Sequence, residues 1–318
     1  MEFDHYPEKP ELVEEKSSSG MFPTVFSIVL FALAFYFIIS DQWLFIFNLL
    51  IVLIIHELGH FVMMKIFGYQ DVRMLFVPLM GAFVQGSKSC YSQKQSLLVI
   101  VLGPYPGMLI GFLLCLISGL IRSEWLLDLG VLFLFINLLN LLPIDPLDGG
   151  QMLKLLFIKA EDLFLLLFSF ISSIFLILLG FLMDEYFLMI FGFLMAFRVR
   201  KLQQQYHLRK RLKQENINYT GCYSKLSNRD YYHIKNVLLE ENPRLRIYKD
   251  VIDAENLEEY IANEVDAVLK DEITHDAGFT LKWLILTSWF VLLTSPLIIY
   301  FLADSWLREY FAWYVELI

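Results

Sequence analysis

Ile51-Val52-Leu53-Ile54-Ile55-His56-Glu57-Leu58-Gly59-His60-Phe61-Val62-Met63-Met64 sets two imidazoles and a carboxylate inside an otherwise apolar run. On a helix, positions i and i+4 share a face, so His56 and His60 can reach one ion. Glu57 lies beside that face, placed to act as a general base on water. The run extends over about Trp43–Phe67, and roughly 20 apolar residues suffice to cross a hydrocarbon core of about 30 Å. A charged side chain at such a depth costs at least ~2 kcal/mol unless it is paired or solvated, so ionisable groups there read as functional. The bland alternative is a structural polar cluster between helices.

The rest of the chain agrees with a membrane setting. Of its 318 residues, 57% are hydrophobic and 19% charged, against about half and a quarter in ordinary soluble domains. The excess lies in Met21–Ser40, Trp43–Ile55, Leu97–Ile121, Trp125–Leu142, Leu163–Met183 and Leu281–Ala303. Buried helices of soluble proteins average roughly 11–12 residues, so these runs predict an all-α polytopic membrane protein with about six to seven transmembrane helices. Cys90, Cys115 and Cys222 form no CxxC pair, and so odd and widely spaced a set argues against a cysteine zinc site and a disulfide framework.

Four regions follow. Residues 1–20 read as a flexible cytoplasmic tail, too acidic and polar for a signal peptide. Residues 21–200 form the membrane core. Residues 201–279 hold a basic segment and a small cytoplasmic insert, with helices expected near Arg229–Leu239 and Ala254–Leu269. Residues 280–318 supply a last span and an interfacial aromatic tail (Trp306, Tyr310, Phe311, Trp313, Tyr314). Lys and Arg favour cytoplasmic loops. With Arg198–Lys213 inside, Lys65, Arg73, Lys88 and Lys94 also fall inside, as does the N-terminus. If Tyr186–Phe197 did not cross, the basic run would end up outside. Because it directly follows a membrane helix, that run suits the anionic lipid bilayer surface and not nucleic acid.

A catalytic zinc site takes three protein ligands and keeps one position open. His5, His207, His233 and His275 lie in polar segments. Among the carboxylates Asp148 stands out, in Asn140-Leu141-Leu142-Pro143-Ile144-Asp145-Pro146-Leu147-Asp148-Gly149-Gly150 at the end of a spanning helix. Prolines stop that helix, and irregular backbone at membrane depth is tolerated only where it is buried in protein or lines a wet cavity. The charge-derived topology sets Asp148 and the two histidines at similar depth.

His-Glu-Leu-Gly-His on an apolar helix, followed by Asn-x-x-Pro and Leu-Asp-Gly, resembles the site-2 protease family of intramembrane zinc metalloproteases over about Trp43–Leu155. The resemblance implies that His56, His60 and Asp148 bind Zn2+, that Glu57 activates water, and that Asn140 helps to hold the site or the developing oxyanion. The family has a re-entrant β-hairpin after this helix, and Val77–Gly86 is similar to it. An unwound transmembrane protein substrate would add as a strand near Gly81, Ala82, Phe83 and Val84. Two departures stand out: Asp145 replaces a proline, and Gly107 replaces an asparagine often found after Gly-Pro. Asp145 is expected to be hydrated. The implied activity is zinc-dependent hydrolysis of peptide bonds in or near transmembrane segments, in a bacterial inner membrane with the site toward the cytoplasm. A catalytically silent scaffold and a metal-ion transporter compete, although the paired repeats common in transporters are not seen. No motif names a regulatory partner.

Overall fold

A computed structural model describes residues 6–12, 21–38, 42–78, 81–88, 91–156, 162–182, 184, 186–241, 255–270 and 273–302. The chain is mostly helical. In order, its described helices are α1 (Met21–Ile38), α2 (Trp43–Ile66), α3 (Gln93–Val101), α4 (Pro104–Ile121), α5 (Glu124–Leu141), α6 (Asp148–Leu156), α7 (Asp162–Leu182), α8 (Tyr186–Gln214), α9 (Asn228–Glu241), α10 (Glu255–Val268) and α11 (Phe279–Leu302). Strands β1 (Gln70–Val77) and β2 (Gly81–Ser87) lie between α2 and α3. Among the described residues four stretches are long and apolar enough to cross a membrane: Trp43–Ile66, Gln93–Ile121, Glu124–Leu141 and Leu163–Leu182. Phe22–Phe37 and Phe279–Ser295 are apolar but shorter. The expected aromatic tail lies outside the described residues.

The contacts divide the chain into two compact units. The first holds 18–88, 92–158 and 275–318. Its α2 carries the two histidines, and the hairpin follows at once. β1 and β2 are antiparallel, with Leu75 opposite Phe83 and Val77 opposite Gly81. Strand periodicity sends Val72, Met74 and Phe76 inward. Met74 and Phe76 meet Phe31 of α1 and Leu49 and Val52 of α2. The apolar run after the hairpin does not make one helix. It breaks at Leu102-Gly103, and Pro104 begins α4, where its missing N–H costs nothing. Two devices start α3: Ser92 Oγ accepts from the Gln95 N–H, and Asp276 accepts from Ser92 Oγ at 2.5 Å and from the Lys94 N–H at 3.0 Å.

The second unit holds 1–17, 89–91 and 159–274. Helices α7 and α8 pair, with Ser173 Oγ donating to the Gly192 carbonyl. Tyr186–Phe197 runs on without a break into the basic stretch, as one 29-residue helix. The insert has both expected helices and a core of its own. Tyr231, Ile234 and Leu238 of α9 and Ile261, Ala262, Val265 and Val268 of α10 recur at helical spacing and close on Leu208 and Leu212 of α8. Arg209 donates to the Val268 and Leu269 carbonyls at the end of α10, and Arg211 pairs with Glu215, Glu240 and Glu241. Two cations of the basic run therefore hold the insert together. Residues 6–12 of the expected flexible tail are seated on the insert.

Candidate metal centre

His56, Glu57 and His60 project from the second half of α2, and all three are buried. Asp148 is the first residue of α6. The structure brings these elements together: Asp148 Oδ2 lies 3.1 Å from His56 Nε2 and 3.3 Å from His60 Nε2, and the two Nε2 atoms are 3.3 Å apart. Hydrogen bonds on the far side of each ring explain what this triangle is. His56 Nδ1 is 2.8 Å from Asn137 Oδ1. Asn137 Nδ2 donates to the Phe133 carbonyl at 2.7 Å, which fixes the amide with its oxygen toward His56. His60 Nδ1 is 2.9 Å from the Val99 carbonyl. Both partners are acceptors, so each Nδ1 carries a proton, and in the neutral ring each Nε2 presents a lone pair. Two ring lone pairs and a carboxylate oxygen thus face one another, an arrangement that a cation between them stabilises.

Geometry gives the same answer. Ligands about 2.0–2.1 Å from a tetrahedral zinc ion are about 3.3 Å from each other, which is the edge length of the observed triangle. It is the one such group of histidine, cysteine and carboxylate side chains among the described residues. Glu57 contributes a further sign: its Oε2 is buried with no hydrogen-bond partner. Buried polar atoms are nearly always satisfied, so an orphaned carboxylate oxygen beside the triangle marks a place for water or substrate. The donor set fits zinc.

The surrounding backbone approaches closely to build this. A Cβ on Gly103 would sit 2.2 Å from the His60 ring, so the glycine at the α3–α4 break is what lets α4 pass His60. A Cβ on Gly107 would sit 2.2 Å from Asn137 Nδ2. The Gly107 departure therefore makes room for an amide that reaches His56 from α5. Asn140, singled out in the sequence, is half-buried and donates to the Ile136 carbonyl. Asn137 was missed there, although a polar amide within a spanning run was a signal of the same kind as His56. Hydration of Asp145, expected from the sequence, is corrected: the residue is fully buried and paired with Lys154 Nζ. A buried carboxylate needs a counter-charge, and Lys154 on α6 supplies one, tying the loop before Asp148 to the helix that Asp148 begins.

Beyond the triangle, Trp289 of α11 donates to the Leu141 carbonyl at 2.7 Å, at the end of α5. Gly81, Ala82, Phe83 and Val84 stand on β2, with Phe83 exposed and the others half-buried.

Residues 49–142 match a family described as "Putative zincin peptidase". Among curated proteins, the chain is 33% identical over 123 residues to the stage IV sporulation protein FB of Bacillus subtilis, covering 35% of this chain and 39% of that protein. It is 29% identical over 126 residues to a zinc metalloprotease of Methanocaldococcus jannaschii, covering 38% of this chain and 36% of that protein. The chain thus spans under two-fifths of the length of the curated relatives it matches. The site-2 protease of M. jannaschii, a solved structure, aligns over 55% of this chain and 87% of that one at 22% identity, with a TM-score of 0.43. The resemblance to zinc metalloproteases is borne out by the matched family and the curated relatives. The stretch matched by the family begins on α2 and ends just after α5, so it contains His56, Glu57, His60, Asn137 and Asn140 and stops short of Asp148.

Proposed function

We propose that this chain is an intramembrane zinc protease that hydrolyses peptide bonds in or near transmembrane segments of other membrane proteins. The observation that carries the reading is the acceptor triangle of His56, His60 and Asp148 beside the unpartnered Glu57 carboxylate, on a helix apolar enough to span a membrane. His56 and His60 would hold the ion through Nε2 and Asp148 through its carboxylate. Zinc bound there supplies Lewis acidity, lowering the pKa of water toward about 7 and polarising the scissile carbonyl. Glu57 takes the water proton as the hydroxyl adds to the carbonyl carbon, then passes it to the leaving amine as the C–N bond breaks. Asn140 serves the developing oxyanion by exchanging its bond to Ile136 for one to substrate.

Register supports a particular substrate edge. The outer edge of β1 is taken by α1: Thr24 Oγ1 donates to the Met74 carbonyl at 2.8 Å, and the Phe76 N–H donates to Ser27 Oγ at 3.1 Å. Met74 and Phe76 therefore turn their main chain away from β2, and their partners Val84 and Ala82 turn theirs outward on the other side. A substrate strand adding to β2 would bond to Ala82 and Val84, while Gly81 and Phe83 stay paired with β1. The hairpin dips into the membrane from the cytoplasmic side of a bacterial inner membrane, with the N-terminus on that side. The test is cleavage of a single-span reporter by purified chain in proteoliposomes. Glu57→Gln should abolish turnover by at least ~100-fold with zinc content unchanged; equal turnover would remove the proposal.

A further inference from the structure

Residues 6–12 read Tyr-Pro-Glu-Lys-Pro-Glu-Leu. Two prolines three residues apart favour polyproline II, whose three residues per turn place Tyr6, Lys9 and Leu12 on one face. Their side chains are held by the insert and Pro10 is half-buried beside them, while Pro7, Glu8 and Glu11 stay exposed. The Tyr6 ring stacks on Tyr232, and its hydroxyl is 3.2 Å from His233 Nε2. Leu12 packs on the insert core. Lys9 is held most closely. Its Nζ donates to the carbonyls of Tyr223 and Leu226 at 2.5 Å and of Ser224 at 3.4 Å, and lies 4.9 Å from the centre of the Tyr223 ring. The main chain is engaged as well: the Lys9 N–H donates to Asn228 Oδ1 at 3.2 Å, and Tyr223 Oη donates to the Pro10 carbonyl at 2.8 Å.

The groups of the cage all belong to the insert. Its carbonyls come from the turn Tyr223–Lys225 and the residue after it, a turn closed by its own bonds from Lys225 N–H to Cys222 O and from Leu226 N–H to Tyr223 O. Asn228 opens α9. All the fully buried core residues beneath lie between Leu208 and Leu269. Three carbonyls match the three N–H donors of an ammonium and not the flat fork of a guanidinium. Aromatic grooves are a recurring solution for binding preformed polyproline II helices.

We propose that this face of the insert is a peptide-binding site that reads a lysine in a polyproline II segment. Its resident ligand is the chain's own residues 6–12, exchangeable for the same sequence supplied in trans. The site is independent of the protease reading. It is tested on the full chain in detergent micelles, intact and lacking residues 1–12, with a fluorescein-labelled peptide of residues 1–14 as the probe and anisotropy as the readout. The truncated chain should bind the probe at least ~10-fold more tightly than the intact chain, and Lys9→Ala and Lys9→Arg probes should each bind at least ~10-fold more weakly. Equal binding by the two chains, no binding by the truncated chain, or undiminished binding of the Lys9→Ala probe overturns the proposal. Should the truncated chain not fold, Lys9→Ala in the intact chain must itself raise affinity for the unaltered probe; no rise overturns the proposal equally.

Discussion

Replacing Asn137 with leucine tests how the site holds its first ligand. Asn137 is 0% and His56 2% exposed, and their 2.8 Å hydrogen bond is the one that keeps the His56 proton on Nδ1. Leucine has about the same length and no acceptor. The buried Nδ1–H is then orphaned, at a cost of about 1–3 kcal/mol. The ring escapes that cost by moving its proton to Nε2, which blocks the atom aimed at Asp148 and His60. Zinc affinity should fall by the equivalent ~5–150-fold, in line with the ~10–100-fold typical of such outer partners. Asn137→Asp keeps an acceptor toward His56 and should lose much less, although its second oxygen then faces the Phe133 carbonyl. The assay is competition for zinc against a chromophoric chelator at pH 7, with purified chain in micelles. Leucine-variant affinity within about twofold of the parent, in chain that remains folded, refutes the reasoning.

Other consequences are as specific. Asp145→Asn or Lys154→Met alone breaks an ion pair whose carboxylate is fully buried and should destabilise the chain by up to about 3–5 kcal/mol, whereas the double change Asp145→Leu with Lys154→Met should be much milder; denaturant titration of the three variants checks this, and equal losses in all three contradict it. The bonds from the Lys94 N–H and Ser92 Oγ hold the exposed Asp276 carboxyl below its usual range. Its contribution to the start of α3 is therefore present above about pH 4 and lost as pH falls through the lowered value. Exchange of the Lys94 amide should speed up on acidification in the parent and be fast and pH-insensitive, after correction for intrinsic exchange, in Asp276→Ala; identical corrected profiles contradict this.

The helices and the cluster of His56, His60 and Asp148 were legible because each leaves a one-dimensional trace. Apolar runs longer than a soluble helix needs mark spans, and His56, Glu57 and His60 interrupt one at helical spacing. Asp148 could be picked out because Pro143, Pro146 and the glycines end a span beside it. The insert's two helices were legible from their periodicity. What escaped depends on contacts between distant segments. Nothing local says that Asn137 faces His56, because that depends on Gly107 vacating the space between α4 and α5. The pairing of Asp145 with Lys154 depends on α6 folding back under its own loop. The seating of residues 6–12 follows a three-residue period, hidden in a stretch that composition alone reads as solvated.

X-ray absorption at the zinc edge, on zinc-loaded full chain, addresses the metal centre most directly. One zinc per chain is predicted, with only nitrogen and oxygen neighbours at about 2.0–2.1 Å and the outer-shell signature of two imidazoles; changing His56 and Asp148 together to alanine should abolish it. Sulfur scattering at about 2.3 Å, or full zinc retention in the doubly changed chain, would contradict the account.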